Sequence, residues 1–212
     1  MNSCSNNNTL SIGHRGAKGY VAENTYESIS KAIELGVDGI EIDVFKCASG
    51  ELVLFHDKNL KELTGESGLI ENLTTEQLEQ FLVLGKYKIP TLTDVLKRIE
   101  KPLFVNIELK GLNIAQATSK IITDLSKSTS WSLENFIVSS FNWDELEQFR
   151  FIDKNTPVGV LVSKSMSMNE AIEFGKKINA QAIHPNFKLL NKKTIKKIKN
   201  NGFKIYTWTV ND

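Results

Sequence analysis

The sequence predicts an α/β protein on a parallel sheet, preferably a (β/α)8 TIM barrel, with a doubly wound open sheet as the alternative. Short apolar runs typical of strands alternate with segments of helical periodicity along nearly the whole chain. Charged residues follow several different strands, as the catalytic mouth of a barrel requires, instead of gathering at one switch point. The sequence has neither a G-x-G-x-x-G fingerprint nor a P-loop. These observations favour the barrel.

Eight short segments have the apolar content of strands and are bounded by turn-forming residues. In chain order they are residues 10–13, 39–44, 51–55, 103–110, 136–141, 157–162, 180–184 and 203–210. We assign seven of them to the barrel wall and treat residues 51–55 as an extension of the second strand.

Helices are predicted between these strands because apolar residues recur there at helical spacing. Asn24 and Thr25 are suited to cap the first helix, Gly36 to end it, and Pro90 directly precedes the second helix. In chain order the helices are residues 23–35, 91–99, 113–127, 144–151, 168–178 and 193–200. The periodicity weakens at residues 58–90, which we interpret as a small insertion lying over the rim of the barrel.

The composition describes one domain of ordinary apolar and charged content. The chain has 212 residues and a formal net charge of +1, which gives no electrostatic footprint for nucleic acid. Cys4 and Cys47 lack the spacing of a zinc site or of a disulfide framework. Residues 1–10 are mostly Asn and Ser without signal-peptide features, so we expect a disordered lead before a domain at residues 11–212. No run approaches the roughly 20 apolar residues of a membrane span, and a cytoplasmic location is expected.

Two acids occupy one face of the strand at residues 39–44. Glu41 and Asp43 alternate with apolar residues, so both carboxylates point to the same side. Side chains two residues apart on a strand are about 6–7 Å apart, which lets two carboxylates converge on one hard cation. The alternative is a half-exposed strand with both acids in water. Glu108 and Lys110 likewise share one face of a later strand.

Polar residues at the ends of several predicted strands complete a candidate catalytic site. They are His14, Arg15, Glu41, Asp43, His56, Asp57, Glu108 and Lys110. Three carboxylates without a cysteine favour Ca²⁺ or Mg²⁺ over zinc. Two basic side chains beside such an ion suit an anion with several oxygens, that is, a phosphate. Two histidines are suited to accept and donate the protons of its cleavage.

This set of residues resembles the glycerophosphodiester phosphodiesterase family of the PLC-like phosphodiesterase superfamily. The resemblance covers nearly the whole chain and rests on seven motifs in the family's order: His14-Arg15-Gly16, Glu23-Asn24-Thr25, Glu41-x-Asp43, His56-Asp57, Pro90-Thr91-Leu92, Glu108-x-Lys110 and Trp208-Thr209-Val210-Asn211. It implies a (β/α)8 barrel with a small insertion after the second strand. The implied activity is hydrolysis of small glycerophosphodiesters to sn-glycerol 3-phosphate and an alcohol.

The resemblance also implies three groups of site residues. These are the ligands of a divalent cation, Glu41, Asp43 and Glu108; the acid/base pair, His14 and His56; and the substrate-binding residues Arg15, Lys110, Phe141 and Trp208. Arg15 and Lys110 would bind the phosphate, and the two aromatic residues would form apolar walls for the glycerol or the leaving alcohol. The implied mechanism begins with attack of the glycerol 2-hydroxyl on phosphorus, and water then opens the resulting cyclic phosphate.

The sequence departs from the family at its end. The family normally continues past the Trp208 motif with a helix and an eighth strand, whereas this chain stops at Asp212. We therefore expect either a fragment or a barrel open between its first and seventh strands. Open sheet edges invite pairing, so association into a homo-oligomer is one expected outcome.

Three functions remain open at this point. The first is a metal-dependent phosphodiesterase on small glycerophosphodiesters, without nucleic-acid partners or stable membrane insertion. The second is a lysophospholipase D-like activity on lysophospholipids, for which six apolar residues of the insertion would supply an entry surface: Leu69, Ile70, Phe81, Leu82, Val83 and Leu84. The third is a non-catalytic binding protein, because the last part of the barrel is missing. We expect His184 to be a structural histidine.

Overall fold

The computed structural model describes residues 9–211, in which ten strands and eight α-helices are assigned. The predicted lead at residues 1–10 lies outside the described residues except for Thr9 and Leu10. The strands are β1 (Ile12–His14), β2 (Gly39–Lys46), β3 (Leu52–Leu54), β4 (Leu82–Val83), β5 (Tyr87–Lys88), β6 (Phe104–Leu109), β7 (Phe136–Ser140), β8 (Val158–Val162), β9 (Ala182–Pro185) and β10 (Lys204–Ile205). The helices are α1 (Tyr26–Glu34), α2 (Lys61–Thr64), α3 (Thr75–Leu78), α4 (Leu92–Arg98), α5 (Ala115–Ser128), α6 (Trp143–Ile152), α7 (Met168–Lys177) and α8 (Lys192–Asn200).

Seven parallel strands form a curled sheet in the order β1-β2-β6-β7-β8-β9-β10, and β3 pairs antiparallel with β2. Because the strand order follows the chain without reversing, the sheet has no switch point and the doubly wound alternative is wrong. The predicted barrel-type α/β fold is confirmed. Within residues 9–211, β1 and β10 lie at the two ends of the sheet and are not paired with each other.

The main core lies between the outer face of the sheet and the helices. Ile40, Ile42 and Val44 are fully buried in it, which is the apolar face expected from the alternation in β2. A second cluster includes Phe45 and Phe55 beside Leu60, Ile70 and Val83. The segment between β3 and α4 therefore packs against β2 and β3, close to the carboxyl end of β2.

The first helix begins later than its periodicity predicts. Thr25 caps α1 by accepting from the N–H of Ser28, so Glu23 and Asn24 belong to the preceding turn. Gly36 ends the helix with φ of +77°, which an L side chain rarely adopts. The turn before α1 thus leaves two polar side chains free to serve the neighbouring strand ends.

The last strand is much shorter than the predicted residues 203–210. Tyr206 and Trp208 still donate to the carbonyls of Ile183 and Pro185, each over 3.2 Å. The intervening ladder bond would need a donor at Pro185, which has no N–H, so regular pairing ends at Ile205. None of the helices described between residues 9 and 211 is long and apolar enough to cross a bilayer.

Candidate metal and phosphate site

Three carboxylates meet at the carboxyl ends of β2 and β6. The parallel register places Asp43 opposite Glu108, while Glu41 is two residues earlier on the same face of β2. One carboxylate oxygen from each residue lies within 4.8 Å of the others, and all three residues are buried. Strand pairing thus joins acids that are 67 and 65 positions apart in sequence.

The electrostatics of this cluster favour a bound cation. Burial and the charge of Glu108 raise the pKa of Asp43 to about 6, although the charges of Lys110 and Arg15 oppose the shift. Burial, Asp43 and Glu108 together raise the pKa of Glu41 well above its usual value. Glu41 Oε1 is also buried without a hydrogen-bond partner. Desolvated, mutually repelling carboxylates with a free ligand atom fit a hard divalent cation.

Two basic side chains flank the carboxylates. Arg15 Nε lies 3.2 Å from Asp43 Oδ2, although the pair is not aligned for a hydrogen bond. The backbone N–H of Arg15 donates to Glu41 Oε2 over 2.9 Å. Lys110 Nζ lies 2.8 Å from Glu108 Oε1 and 3.7 Å from Asp43 Oδ1. Burial alone would lower the pKa of Lys110, but Glu108 and Asp43 raise it. Both cations therefore remain charged beside the acids, as a phosphate-binding site requires.

The two predicted catalytic histidines face this cluster. His14 ends β1 with Nε2 3.8 Å from Glu41 Oε2, and its Nδ1 is buried without a partner. Burial lowers the pKa of His14 to about 3, helped by the charges of Arg15, Lys18, His56 and Lys110. His56 follows β3, and its Nδ1 is 2.7 Å from Asp57 Oδ1. The charge of His56 acts on both His14 and Asp43, so the imidazoles share one site.

An aromatic pair closes the side of the site next to Lys110. The rings of Phe141 and Trp208 meet edge to face, with centroids 5.3 Å apart, and Lys110 Nζ lies 6.0 Å from the Phe141 centroid. Trp208 Nε1 donates to the carbonyl of His184 over 2.8 Å. These contacts connect eight of the nine site residues that were expected from the sequence, and the ninth, His56, acts on His14 and Asp43 through its charge.

The turn before α1 supplies a layer of side chains that supports the site. Asn24 donates to Asp43, and Arg15 is held by Glu23, whose other carboxylate oxygen lies 3.5 Å from Lys18 Nζ. Asn24 has φ of +55°, a conformation in which asparagine is enriched. These two side chains position Asp43 and Arg15.

Glu145 is a supporting residue that sequence reasoning missed. This buried carboxylate of α6 accepts from the N–H groups of Asn113, Ile114 and Ala115, each over 2.9 Å. It thereby anchors the loop that follows Lys110 and caps the start of α5. In sequence, Glu145 is an ordinary acid in the first turn of a helix, and no local pattern reveals its distant partner.

His184 lies outside the site, in the interior of the curled sheet. It is 2% exposed, its Nε2 has no hydrogen-bond partner, and burial lowers its pKa to about 3. The ring lies over Gly159 of the adjacent strand, where an added Cβ would come within 2.2 Å of Nε2. His184 is therefore a neutral packing residue, in line with the structural role expected for it.

Comparison with known proteins identifies relatives over nearly the whole chain. A model of the glycerophosphoryl diester phosphodiesterase family matches residues 14–212. YhdW of Bacillus subtilis is 32% identical over 210 residues, which span 95% of this chain and 86% of that protein. A protein of Caldanaerobacter subterraneus named glycerophosphodiester phosphodiesterase is 30% identical over 211 residues, with 95% and 86% covered.

Solved structures share the fold. A glycerophosphodiester phosphodiesterase from Thermotoga maritima has 31% sequence identity and a TM-score of 0.80, covering 97% of this chain and 88% of that one. A phosphodiesterase from Oleispira antarctica, solved with the product sn-glycerol-3-phosphate, has 27% identity and a TM-score of 0.85, with 96% and 85% covered. The match over residues 14–212 shows that this chain is an enzyme of the glycerophosphoryl diester phosphodiesterase family.

Proposed function

We propose that this enzyme hydrolyses small glycerophosphodiesters, such as glycerophosphocholine and glycerophosphoethanolamine, to sn-glycerol 3-phosphate and the free alcohol. The observation that carries the proposal is the buried cluster of Glu41, Asp43 and Glu108, in which one carboxylate oxygen of each residue lies within 4.8 Å of the other two. Arg15 and Lys110 lie directly beside this cluster. A site with three acids and two cations is suited to a metal-bound phosphate. The related Oleispira antarctica phosphodiesterase, solved with sn-glycerol-3-phosphate, supports the same choice of product.

The three carboxylates would hold the cation, and their oxygen-only donor set favours Ca²⁺ or Mg²⁺. Such an ion supplies Lewis-acid stabilisation of negative charge on phosphoryl and attacking oxygens. Arg15 and Lys110 would bind phosphoryl oxygens and stabilise the charge that develops on them. Phe141 and Trp208 form an apolar wall next to Lys110 for the glycerol or the leaving alcohol.

His14 and His56 move the protons. In the first step one imidazole takes the proton of the glycerol 2-hydroxyl, whose oxygen attacks phosphorus, while the other protonates the departing alcohol oxygen. The P–O bond to the alcohol breaks and a cyclic phosphate forms. Water then attacks phosphorus with the proton roles exchanged, the bond to the 2-oxygen breaks, and glycerol 3-phosphate is released. Asp57 fixes the His56 ring through Nδ1 and leaves Nε2 to exchange the proton.

A second candidate substrate is a lysophospholipid. Leu69, Leu82 and Leu84 of the insertion are exposed, and the human protein named lysophospholipase D GDPD1 is 26% identical over 143 residues. The expected entry surface is only partly present, because Ile70 and Val83 are buried in the second core cluster. Their side chains stabilise the insertion, and the remaining leucines form a smaller surface than the sequence predicted.

The test is an enzyme-coupled assay for glycerol 3-phosphate release by the purified chain, with Ca²⁺, Mg²⁺ or a chelator. We expect release from glycerophosphocholine that requires a divalent ion, and a choline assay on lysophosphatidylcholine measures the second candidate. His14→Ala and His56→Ala should abolish turnover while unfolding curves stay close to wild type. His184→Phe is the matched histidine control and should retain activity, because His184 lies outside the site.

Absence of release from either substrate with any divalent ion would refute the hydrolytic proposal and leave the non-catalytic binding function. Near-normal turnover in His14→Ala or His56→Ala would remove that histidine from the mechanism.

A further inference from the structure

Four loops around the site each expose an apolar side chain. Tyr20 is 73% exposed, Leu84 62%, Leu112 59% and Phe187 43%. We refer to these four residues as the mouth rim. Apolar side chains that are exposed together at one end of a fold are typical of an interaction surface, whereas single ones scattered over a surface are not.

The topology places the mouth rim on the same side of the fold as the site. Tyr20, Leu112 and Phe187 lie in the loops that follow the carboxyl ends of β1, β6 and β9, and these strands are parallel. Leu84 lies at the tip of the β4–β5 hairpin. Val83 of that hairpin belongs to the same cluster as Phe55, which directly precedes His56. The mouth rim therefore lies at the end of the sheet that carries the site.

Lysines accompany three of the four rim residues. Lys18, Lys86 and Lys188 stand within two positions of Tyr20, Leu84 and Phe187, respectively. Lys188 Nζ lies 5.6 Å from the Phe187 ring and Lys86 Nζ lies 4.9 Å from the Tyr87 ring, so these cations stay next to apolar surface. Such pairs of an apolar tip and a flanking lysine suit a surface with an apolar interior and anionic head groups.

The acids nearby do not cancel this pattern. Glu23, in the same loop as Tyr20, is paired with Arg15 and lies 3.5 Å from Lys18. The exposed acids of the insertion precede the hairpin, in or next to α2 and α3; they are Glu62, Glu66, Glu76 and Glu79. From β4 to β5 the hairpin has no acid and carries Lys86 and Lys88. The basic and apolar character is thus concentrated at the hairpin tip and the barrel loops.

We propose that the mouth rim docks onto an anionic phospholipid bilayer, with Leu84, Leu112 and Phe187 entering the interface and Lys86 and Lys188 contacting its head groups. The proposal extends the proposed function, because docking would hold the site against the surface from which lipid-derived phosphodiesters arise. Its test measures binding to vesicles and does not require hydrolysis.

The experiment is cosedimentation with vesicles of phosphatidylcholine alone or with about 30 mol% phosphatidylglycerol, at about 0.05 and about 0.5 M NaCl. We expect binding to the anionic vesicles that weakens at high salt. Leu84→Ser with Leu112→Ser should reduce the partition coefficient about 10-fold or more, since the inserted apolar area is lost. Lys86→Glu with Lys188→Glu should reduce binding to anionic vesicles only. Ile33→Ser with Leu35→Ser is the matched control and should bind normally, because these exposed residues lie at the far end of α1.

Release of glycerol 3-phosphate from soluble glycerophosphocholine should be unchanged in Leu84→Ser/Leu112→Ser. If neither the wild type nor any variant hydrolyses the substrate, but vesicle binding still depends on the mouth rim, the proposed function is wrong and the docking proposal is supported. Lack of binding by the wild-type chain, or equal binding by the rim and control variants, would overturn the docking. Self-association that Leu84→Ser/Leu112→Ser abolishes, without vesicle binding, would assign the rim to a second copy of the chain instead.

Discussion

Asn24 holds Asp43 from two sides. Its Nδ2 donates to Asp43 Oδ2 over 2.9 Å, and its Oδ1 accepts the N–H of Asp43 over 3.1 Å. Asn24 is 2% exposed, and its backbone has φ of +55°. These bonds join the turn before α1 to β2, and one carboxylate oxygen of Asp43 is occupied by a hydrogen bond from Asn24. We infer that this contact orients the remaining oxygen toward the cation.

Asn24→Ala should weaken divalent-ion binding and lower kcat/KM by roughly 10- to 100-fold, the usual cost of losing a partner of a metal ligand. Titration calorimetry and the coupled assay measure the two effects. Asn24→Gly is the control for backbone strain, because glycine adopts a positive φ without cost. Asn24→Gly should be nearly as impaired as Asn24→Ala, and full activity in the glycine variant would reduce the role of Asn24 to its backbone conformation.

Asp43→Asn should abolish the stabilisation of the fold by divalent ions. An ion at about 100 times its dissociation constant should stabilise the wild type by about 2.7 kcal/mol, seen as a higher thermal midpoint. The variant should lose this increase and lose activity by more than the roughly 10- to 100-fold expected for a supporting residue. In a chelator it should be at least as stable as the wild type, since the pKa of Asp43 is already raised by burial and Glu108.

Asp94→Asn, an exposed acid at the start of α4, serves as the control and should keep the ion-dependent stabilisation. An Asp43→Asn variant whose midpoint still rises with the ion would contradict the assignment of the cluster.

Asp57→Asn should lower kcat about 10- to 100-fold, because the His56 ring loses its partner at 2.7 Å. The change in KM should be smaller, because Arg15 and Lys110, which would bind the phosphate, are unchanged. His56→Ala should cost more. Because Asp57 acts through His56, the double variant should be no worse than His56→Ala alone. Independent, multiplicative losses in steady-state kinetics would show that Asp57 has a separate role.

Acid should destabilise the fold partly through His184. Burial lowers its pKa in the folded protein to about 3 from 6.5, so the unfolded chain binds the proton first as pH falls. Its contribution is fully present above pH 6.5 and is lost progressively as pH falls toward the folded pKa of about 3. Between about pH 7 and 4.5 this amounts to about 2–3 kcal/mol.

His184→Phe removes the titrating group and keeps a ring over Gly159. Urea unfolding at several pH values should therefore give a flatter curve of unfolding free energy for the variant than for the wild type. The other ionisable groups act in both proteins, so parallel curves would rule out His184 as the source.

Local patterns along the chain were enough to predict which types of residue gather at the site. Strict alternation in β2 puts Glu41 and Asp43 on one face, and the absence of cysteine among the candidate ligands favours a hard cation. The order of strands and helices also determined the parallel barrel-type sheet, because crossover connections leave few topologies. These inferences depend on local periodicity and on side-chain chemistry, both of which can be read along the chain.

The distant groups that support the site could be identified only from the packing of the folded chain. Asn24 is hydrogen-bonded to Asp43, 19 positions away, and Glu145 accepts from the N–H groups of residues 113–115, which lie 30 to 32 positions away. The burial of Ile70 and the early end of β10 at Ile205, beside Pro185 of β9, likewise depend on neighbours from other segments. Local periodicity records which face of an element is apolar, but the partner of a buried polar group is set by how separate elements pack.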